Sequence, residues 1–124
     1  MIFQHTLDLV LAGTKTATSR LVKPGETAVY GDDGQIEAVT HNGRDKYRVG
    51  KIYAVQPGRA KPAVGRIKLV GIKQQRVSET STVEAAMEGF PSREAFFETW
   101  RTIHGADKLN ANVWLLTFEL VHAE

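Results

Sequence analysis

The hydrophobic periodicity of this chain changes twice, and the order of the changes limits the folds that it can adopt. Apolar residues at helical spacing over residues 3–12 predict a short amphipathic helix, which Gly13 ends as a left-handed cap. Alternation typical of strands then runs through the middle of the chain, and helical spacing returns over residues 81–104. A last strand is predicted over residues 112–121. Because helices and strands do not alternate regularly, the pattern indicates an α+β fold with a mostly antiparallel sheet.

The middle of the chain contains several short predicted strands. A hairpin is expected around Asp32-Asp33-Gly34, and the polar residues 41–46 are interpreted as a loop. Gly71 predicts a kink at which one strand continues into residues 72–77. The other predicted strands are residues 16–21, 27–30, 35–40, 51–56 and 64–70.

Two helices are expected before the last strand. Ser81 or Thr80 is predicted to cap the first helix, and Ser92 the second, because a side-chain oxygen at this position accepts a hydrogen bond from the first turn. The apolar stripe of the second helix is predicted to face the core. Its members are Phe96, Trp100 and Ile103.

The length of 124 residues fits a single domain over residues 1–124 that buries its own core. The absence of cysteine excludes a disulfide scaffold, a zinc site with thiolate ligands, an iron–sulfur cluster and a cysteine nucleophile. The N-terminus has no pattern of a targeting signal, and no apolar run approaches the roughly 18 residues of a membrane span. We therefore expect a cytoplasmic protein with no membrane partner.

The basic residues of this chain are concentrated in its centre. Residues 44–76 contain ten lysines and arginines against one acidic residue, whereas both flanking segments are acidic. Such a block favours an anionic partner, with RNA or another single-stranded nucleic acid as the first candidate. The alternative is a solvated basic surface that is partly neutralised by the acidic helices.

The segment after the first helix carries the groups best suited to bind an anion or a polar base. Lys15 lies at a bend, and strand alternation places Thr16, Thr18 and Arg20 on one face. The guanidinium can hold a phosphate or a carbonyl group, and the hydroxyls can donate or accept hydrogen bonds. The same alternation is also found on the solvent face of an ordinary strand.

Residues 13–20, Gly-Thr-Lys-Thr-Ala-Thr-Ser-Arg, resemble the signature of the ASCH domain family. The downstream Glu88-Gly89-Phe90 and the order of the elements agree with that family. The resemblance implies a small PUA-like β-barrel flanked by short helices, in a family associated with nucleic-acid binding. Some similar bacterial members are amidohydrolases that deacetylate N4-acetylcytidine. By position, their working lysine, threonine and glutamate correspond to Lys15, Thr18 and Glu88.

A catalytic role for these three residues requires particular protonation states. A threonine needs a base to become a nucleophile, and a lysine base requires a pKa about three units below its usual 10.4. Burial and the nearby charge of Arg20 would lower the pKa of Lys15, whereas a close Glu88 carboxylate would raise it. A lysine base is therefore compatible only with a Glu88 that is held away or protonated. Glu88 has an alternative role as a hydrogen-bond acceptor for a cytosine-like base.

A second cationic candidate is the loop over residues 56–66. Arg59, Lys61 and Arg66 are predicted to contact a phosphate backbone, with Tyr47 or Tyr53 as a stacking surface. The alternative is an ordinary basic hairpin. No metal or cofactor is expected, because the four histidines lack ligand spacing and no phosphate-binding or dinucleotide-binding glycine motif is present.

Three functions remain open from the sequence. The first is binding of RNA, of another single-stranded nucleic acid or of a modified nucleoside. The second is an amidohydrolase in which Thr18 is the nucleophile, Lys15 the base and Glu88 the acid or substrate anchor. The third is a ribonuclease that uses Lys15 and Arg20 on phosphate, although no histidine pair supplies the usual acid and base.

Overall fold

The computed structural model describes residues 1–123, and its elements follow the predicted order with one additional strand, over residues 44–48. The helices are α1 Leu7–Leu11, α2 Thr82–Met87 and α3 Arg93–His104. The strands are β1 Ala17–Leu21, β2 Glu26–Tyr30, β3 Ile36–His41, β4 Arg44–Arg48, β5 Ile52–Val55, β6 Gly65–Arg76 and β7 Asn112–Ala123. The α+β class is confirmed.

The strands form two antiparallel sheets. One sheet has the order β1-β7-β6-β5, and the other has the order β2-β3-β4. The long strands β6 and β7 are central to the first sheet, and β1 lies at its edge, where Ala17 pairs with Thr117 and Leu21 with Val113. Closure of the two sheets into a barrel stays a prediction.

Gly71 marks the kink that the sequence predicted in the long sixth strand. The pairing of β6 with β7 shifts register between Leu69 and Gly71. A Cβ at Gly71 would lie 2.6 Å from the Thr117 hydroxyl oxygen, which is closer than a carbon can approach. Glycine therefore lets the two strands stay paired through the irregularity.

The core consists of three neighbouring apolar clusters. The first lies between the sheets and includes Trp114, Leu116 and Val39. The second packs the N-terminal segment against the first sheet, with the rings of Phe3 and Phe118 5.7 Å apart. The third places α3 against one end of the same sheet, where β6 and β1 finish and β7 begins. Its buried members are Val77, Ala85, Phe96, Trp100 and Val113.

The caps of the two later helices agree with the sequence. The Ser81 hydroxyl accepts a hydrogen bond from the N–H of Glu84 at 3.0 Å, and the Glu84 carboxylate accepts one from the N–H of Ser81. The Ser92 hydroxyl accepts from the N–H of Ala95 at 3.0 Å. These reciprocal bonds satisfy donors that the first helical turn leaves free.

Three local predictions are wrong. Residues 41–46 are not a loop, because β4 begins at Arg44 after a two-residue turn in which Asn42 and Gly43 both have positive φ. An Asn-Gly pair is the common sequence of such hairpin turns. Helix α1 begins only at Leu7, since the preceding residues extend along Gln56. Ile103 is 49% exposed and does not belong to the core.

No helix in the described part of the chain is long and apolar enough to cross a membrane.

Candidate functional site

The candidate site forms where the end of α1 meets the end of α2. The backbone N–H of Lys15 donates to the Leu9 carbonyl oxygen at 3.0 Å, and the N–H of Thr16 donates to the Met87 carbonyl oxygen at 2.8 Å. Gly89 has φ +95°, and a Cβ there would lie 2.7 Å from a Leu9 methyl carbon. The glycine therefore permits the close approach of the two helix ends, which brings the bend before β1 beside the end of α2.

A cleft of about 620 Å³ opens beside this junction. Its walls come from the segment before α1, from β1, from the end of α2 and from one face of α3. Four of the predicted site residues line it together. They are Lys15, Thr18, Arg20 and Glu88.

Lys15 and Glu88 are an almost completely buried pair. Only 4% of Lys15 and 3% of Glu88 are exposed. The Lys15 ammonium donates to the backbone carbonyl oxygen of Glu88 at 2.9 Å, whereas its Nζ lies 3.9 Å from the carboxylate oxygen Oε1. The ammonium is therefore hydrogen-bonded to the main chain of Glu88 and only in electrostatic contact with its side chain.

Ser19 holds the Glu88 carboxylate in this position. Its backbone N–H donates to Glu88 Oε1 at 3.1 Å, and its hydroxyl donates to Oε2 at 2.7 Å. Strand β1 is an edge strand, so the N–H of Ser19 has no second strand to pair with and is free for a carboxylate.

Ser19 is a residue of the cleft that sequence reasoning missed. Alternation had placed it on the face opposite to Thr18 and Arg20, but it also lines the cleft. The reason is that Glu88 approaches the open edge of β1, and an edge is reached from both faces. No signal in the sequence identifies β1 as an edge strand.

Burial shifts both ionisable groups of the pair towards their neutral forms. Desolvation lowers the pKa of Lys15 to about 8; the Glu88 charge opposes this shift, and the Arg20 charge adds to it. Desolvation raises the pKa of Glu88, and the charge of Lys15 and the bonds from Ser19 offset part of that rise. A neutral Lys15 is therefore accessible close to physiological pH.

Thr18 presents a free hydroxyl to the same cleft. The residue is 6% exposed and lines the cleft. Within residues 1–123 its side chain forms no hydrogen bond with the protein. The hydroxyl is thus available to a ligand or to a base.

Arg20 lies against the N-terminal segment. Its Nη2 donates to the Ile2 carbonyl oxygen at 2.8 Å, and its guanidinium carbon lies 5.1 Å from the centre of the Phe3 ring. The Nε atom is buried and has no hydrogen-bond partner within the described residues 1–123. Arg20 therefore retains unused donors beside the cleft.

The other predicted binding residues lie elsewhere in the part of the chain that the structure describes. Thr16 is half-buried and lies outside the cleft lining, and its backbone bonds to Met87 and Phe118. Arg59 and Lys61 are exposed on the loop between β5 and β6, and Arg66 is exposed at the start of β6. The structure does not bring these three cations to the cleft.

Aromatic side chains form one wall of the cleft. Phe96 and Trp100 are buried as predicted, with 3% and 5% exposed, and they line the cleft together with Phe90. The Trp100 ring lies 4.0 Å from the ring of His104, centre to centre. Tyr47 also lines the cleft, but Tyr53 does not. Among Phe90, Phe96 and Trp100, the half-buried Phe90 has the most exposed surface.

Within residues 1–123, no group of three or more histidine, cysteine, aspartate or glutamate residues is arranged to hold a metal ion.

No protein-family model and no curated protein matches the sequence. Solved structures do match it. A crystal structure of an ASCH domain from Lactobacillus crispatus has a TM-score of 0.66 and 21% identity, over 94% of this chain and 70% of that chain.

Two further crystal structures are similar. Protein EF3133 from Enterococcus faecalis, described by family model DUF984, has a TM-score of 0.63 and 16% identity, over 98% of this chain and 72% of that one. Hypothetical protein PH0355 has a TM-score of 0.62 and 17% identity, over 98% and 96% of the two chains. These identities establish likeness of fold, and this chain therefore has an ASCH-like α+β fold.

Proposed function

We propose that the cleft binds a nucleoside and hydrolyses an amide on its base, with N4-acetylcytidine as the model substrate. One observation carries the proposal. A buried lysine whose pKa is lowered to about 8 lines the same cleft as the unpaired hydroxyl of Thr18, and Ser19 bonds the Glu88 carboxylate, whose Oε1 stays 3.9 Å from the Lys15 Nζ with no hydrogen bond to it. Amide hydrolysis by a threonine needs such a base.

The first half of the reaction forms an acyl-enzyme. Neutral Lys15 takes the proton of the Thr18 hydroxyl as the oxygen attacks the acetyl carbonyl carbon. The tetrahedral intermediate then collapses, and the carbon–nitrogen bond breaks. The proton held by Lys15 passes to the leaving amine, so cytidine departs and the acetyl group remains as an ester on Thr18.

The second half restores the enzyme. Lys15, now neutral again, takes a proton from water as the water oxygen attacks the ester carbonyl. Collapse of this intermediate returns the proton to the Thr18 oxygen and releases acetic acid, which ionises to acetate. The protein regains its starting protonation state, and no external reductant or oxidant is required.

Glu88 and the aromatic wall suit the binding of the base. Each carboxylate oxygen of Glu88 accepts one bond from Ser19 and keeps capacity to accept another, for example from an exocyclic N–H. Phe90, the half-buried member of the aromatic wall, supplies apolar surface for the flat ring. Glu88 is therefore assigned as the substrate anchor in this proposal.

The experiment is incubation of the purified chain with N4-acetylcytidine and measurement of acetate release. Activity is expected for the unmodified protein and for Lys73→Ala, an exposed lysine outside the cleft. Loss is expected for Thr18→Val, which keeps the side-chain shape but removes the hydroxyl. Turnover that is unchanged in Thr18→Val or in Lys15→Ala would reject the assigned roles.

Binding of single-stranded RNA is a second candidate function. It is favoured by the exposed cations Arg59, Lys61 and Arg66, which lie outside the cleft and are free to follow a phosphate backbone. A steep fall of RNA affinity with salt concentration is expected. Affinity that does not depend on salt, or no binding at low salt, would contradict this candidate.

A further inference from the structure

The charges that line the cleft do not balance. Its cationic side chains are Lys15, Arg20, Lys23 and Lys46, and its lining carboxylate is Glu88. Lys46 pairs with Glu26, which does not line the cleft. Glu88 forms a salt bridge with Lys15 and also acts on Arg20 through its charge, but neither Arg20 nor Lys23 forms a salt bridge within residues 1–123.

Arg20 is the more buried of these two cations and has few partners. Its single hydrogen bond to the protein, among residues 1–123, runs from Nη2 to a backbone carbonyl oxygen. Its Nε is buried with no partner. A guanidinium carries five N–H donors and remains charged in proteins, so most of its donors are unused here.

Glu88 is not a direct partner of Arg20. Its charge acts on the guanidinium, but the two side chains form no hydrogen bond or salt bridge within residues 1–123, and the carboxylate is bonded to Ser19 beside Lys15. A largely buried cation with unused donors is costly unless an anion or a strong acceptor approaches it. A ligand that carries an anionic group can supply that partner.

Size and lining restrict what that ligand can be. The cleft volume of about 620 Å³ lies in the range of sites for small molecules. Phe90, Phe96 and Trp100 come from α3 and the turn before it, whereas Lys15, Arg20 and Lys23 come from β1 and its two flanks. A ligand that matches both parts has a flat ring and a separate anionic group.

We propose that the preferred ligand of the cleft is a nucleoside monophosphate, whose phosphate binds Arg20 with Lys23 beside it. This inference rests on the proposed function, because that function supplies the nucleoside part. The phosphate accepts charge-assisted hydrogen bonds from the guanidinium and neutralises the surplus charge of the cleft. The base then faces the aromatic wall and Glu88.

The test compares cytidine with cytidine 5′-monophosphate by calorimetric titration at low salt. The monophosphate is expected to bind at least about tenfold more tightly, the difference that one charge-assisted bond supplies. Arg20→Met is expected to abolish this preference. Arg101→Met, on the exposed face of α3, is the matched control and keeps the preference.

Lys23→Ala provides a second, independent test that does not depend on whether Arg20→Met folds. Lys23 lies at the cleft after β1, so its loss is expected to reduce the preference severalfold without disturbing the core. A 5′-phosphorylated trinucleotide distinguishes the source of the phosphate, and the free mononucleotide is expected to bind at least as tightly.

The outcomes separate this inference from the function on which it rests. Equal affinity for cytidine and its monophosphate would overturn the phosphate site while leaving the nucleoside cleft intact. A preference that persists in both Arg20→Met and Lys23→Ala would place the phosphate elsewhere and would also overturn the inference. Absence of binding for both ligands would overturn the inference and the proposed function together.

Discussion

Two groups of cations in this protein differ in almost every physical respect. Lys15 and Arg20 lie beside the edge strand β1, largely out of water, and each is fixed by a hydrogen bond to a backbone carbonyl oxygen. Arg59, Lys61 and Arg66 lie near the loop between β5 and β6 and are exposed. Contacts with the rest of the protein fix the position of the first group, whereas the side chains of the second group are surrounded by solvent.

The difference in burial decides what each group can do. Removal from water shifts the pKa of Lys15 to about 8, and a lysine with such a pKa can act as a base. An exposed cation keeps its charge and its hydration, so it contributes mainly long-range attraction that salt screens. The cleft is therefore suited to catalysis or to specific recognition of a ligand, whereas the loop is suited to non-specific binding of a polyanion.

The largest expected effect is on catalysis. Lys15→Ala is expected to reduce the rate of acetate release from N4-acetylcytidine by about a thousandfold, the scale of a lost general base. Lys61→Ala is the exposed counterpart of the same residue type and is expected to change the rate far less. Equal losses of rate in the two variants would show that the buried cations of the cleft and the exposed cations of the loop do not differ in function.

The next effect concerns stability. Glu88→Leu leaves Lys15 buried without its partner and is expected to lower the free energy of unfolding at pH 7 by about 3 kcal/mol. Lys73→Ala breaks the more exposed pair with Glu84 and is expected to cost less than about 1 kcal/mol. Urea denaturation measures both changes. A double variant, Lys15→Met with Glu88→Leu, is expected to recover most of the loss.

A smaller effect concerns the pH profile. The rate of acetate release is expected to rise with pH through about 8, because neutral Lys15 is the active form. Ser19→Ala removes the hydroxyl bond to Glu88 Oε2 and keeps the backbone bond to Oε1, so the less firmly held carboxylate approaches the ammonium and raises the pKa of Lys15. The inflection of the pH profile is expected to move up by about one pH unit. Ser19→Thr, which keeps a hydroxyl group, is expected to return the inflection to its original position. A profile that stays in place or moves to lower pH would contradict the positioning role of Ser19.

The same pKa shift affects folding in a defined direction. Burial lowers the pKa of Lys15 from 10.5 to about 8, so between these values the unfolded chain binds a proton that the folded chain has released. The contribution of Lys15 to the free energy of unfolding therefore rises with pH across this window. Denaturation curves at pH 7 and pH 10 are expected to show this rise relative to Lys15→Met, and its absence would contradict the burial of the charge.

The smallest effect concerns the exposed loop. Arg59→Ala or Arg66→Ala is expected to weaken the binding of single-stranded RNA by a few fold. Each lost phosphate contact is also expected to lower the slope of log affinity against log salt by about 0.7. Fluorescence anisotropy at several salt concentrations measures both quantities, with Arg101→Ala as a control. A slope that is the same in all variants would show that the loop does not contact phosphate.

Local signals in the sequence were sufficient for much of the fold. Ser81 and Ser92 identified the starts of α2 and α3, because capping depends on atoms within one helical turn. Gly71 identified the kink in β6 for a similarly local reason. Asn42-Gly43 is also a local signal, since this pair is the common sequence of a two-residue hairpin turn, whereas the polar composition of residues 41–46 wrongly indicates a loop.

The cleft was only partly predictable. The motif at residues 13–20 and its resemblance to ASCH domains identified Lys15, Thr18, Arg20 and Glu88, and the structure brings these four together. Ser19 was missed because its partner lies 69 residues away and approaches an edge strand. The exposure of Ile103 was missed because helical periodicity shows which residues share a face, but not how far that face is covered.

The sequence by itself determined the order of the elements apart from β4, the helix caps, most turns and the types of residue available for chemistry. These depend on interactions between residues that are close along the chain. Only the tertiary structure decided which cations are buried, which way the Glu88 carboxylate points and that Arg20 retains unused donors. Those properties arise from contacts between β1, α2 and the N-terminal segment, because desolvation and hydrogen-bond partners are set by distant parts of the chain meeting in space.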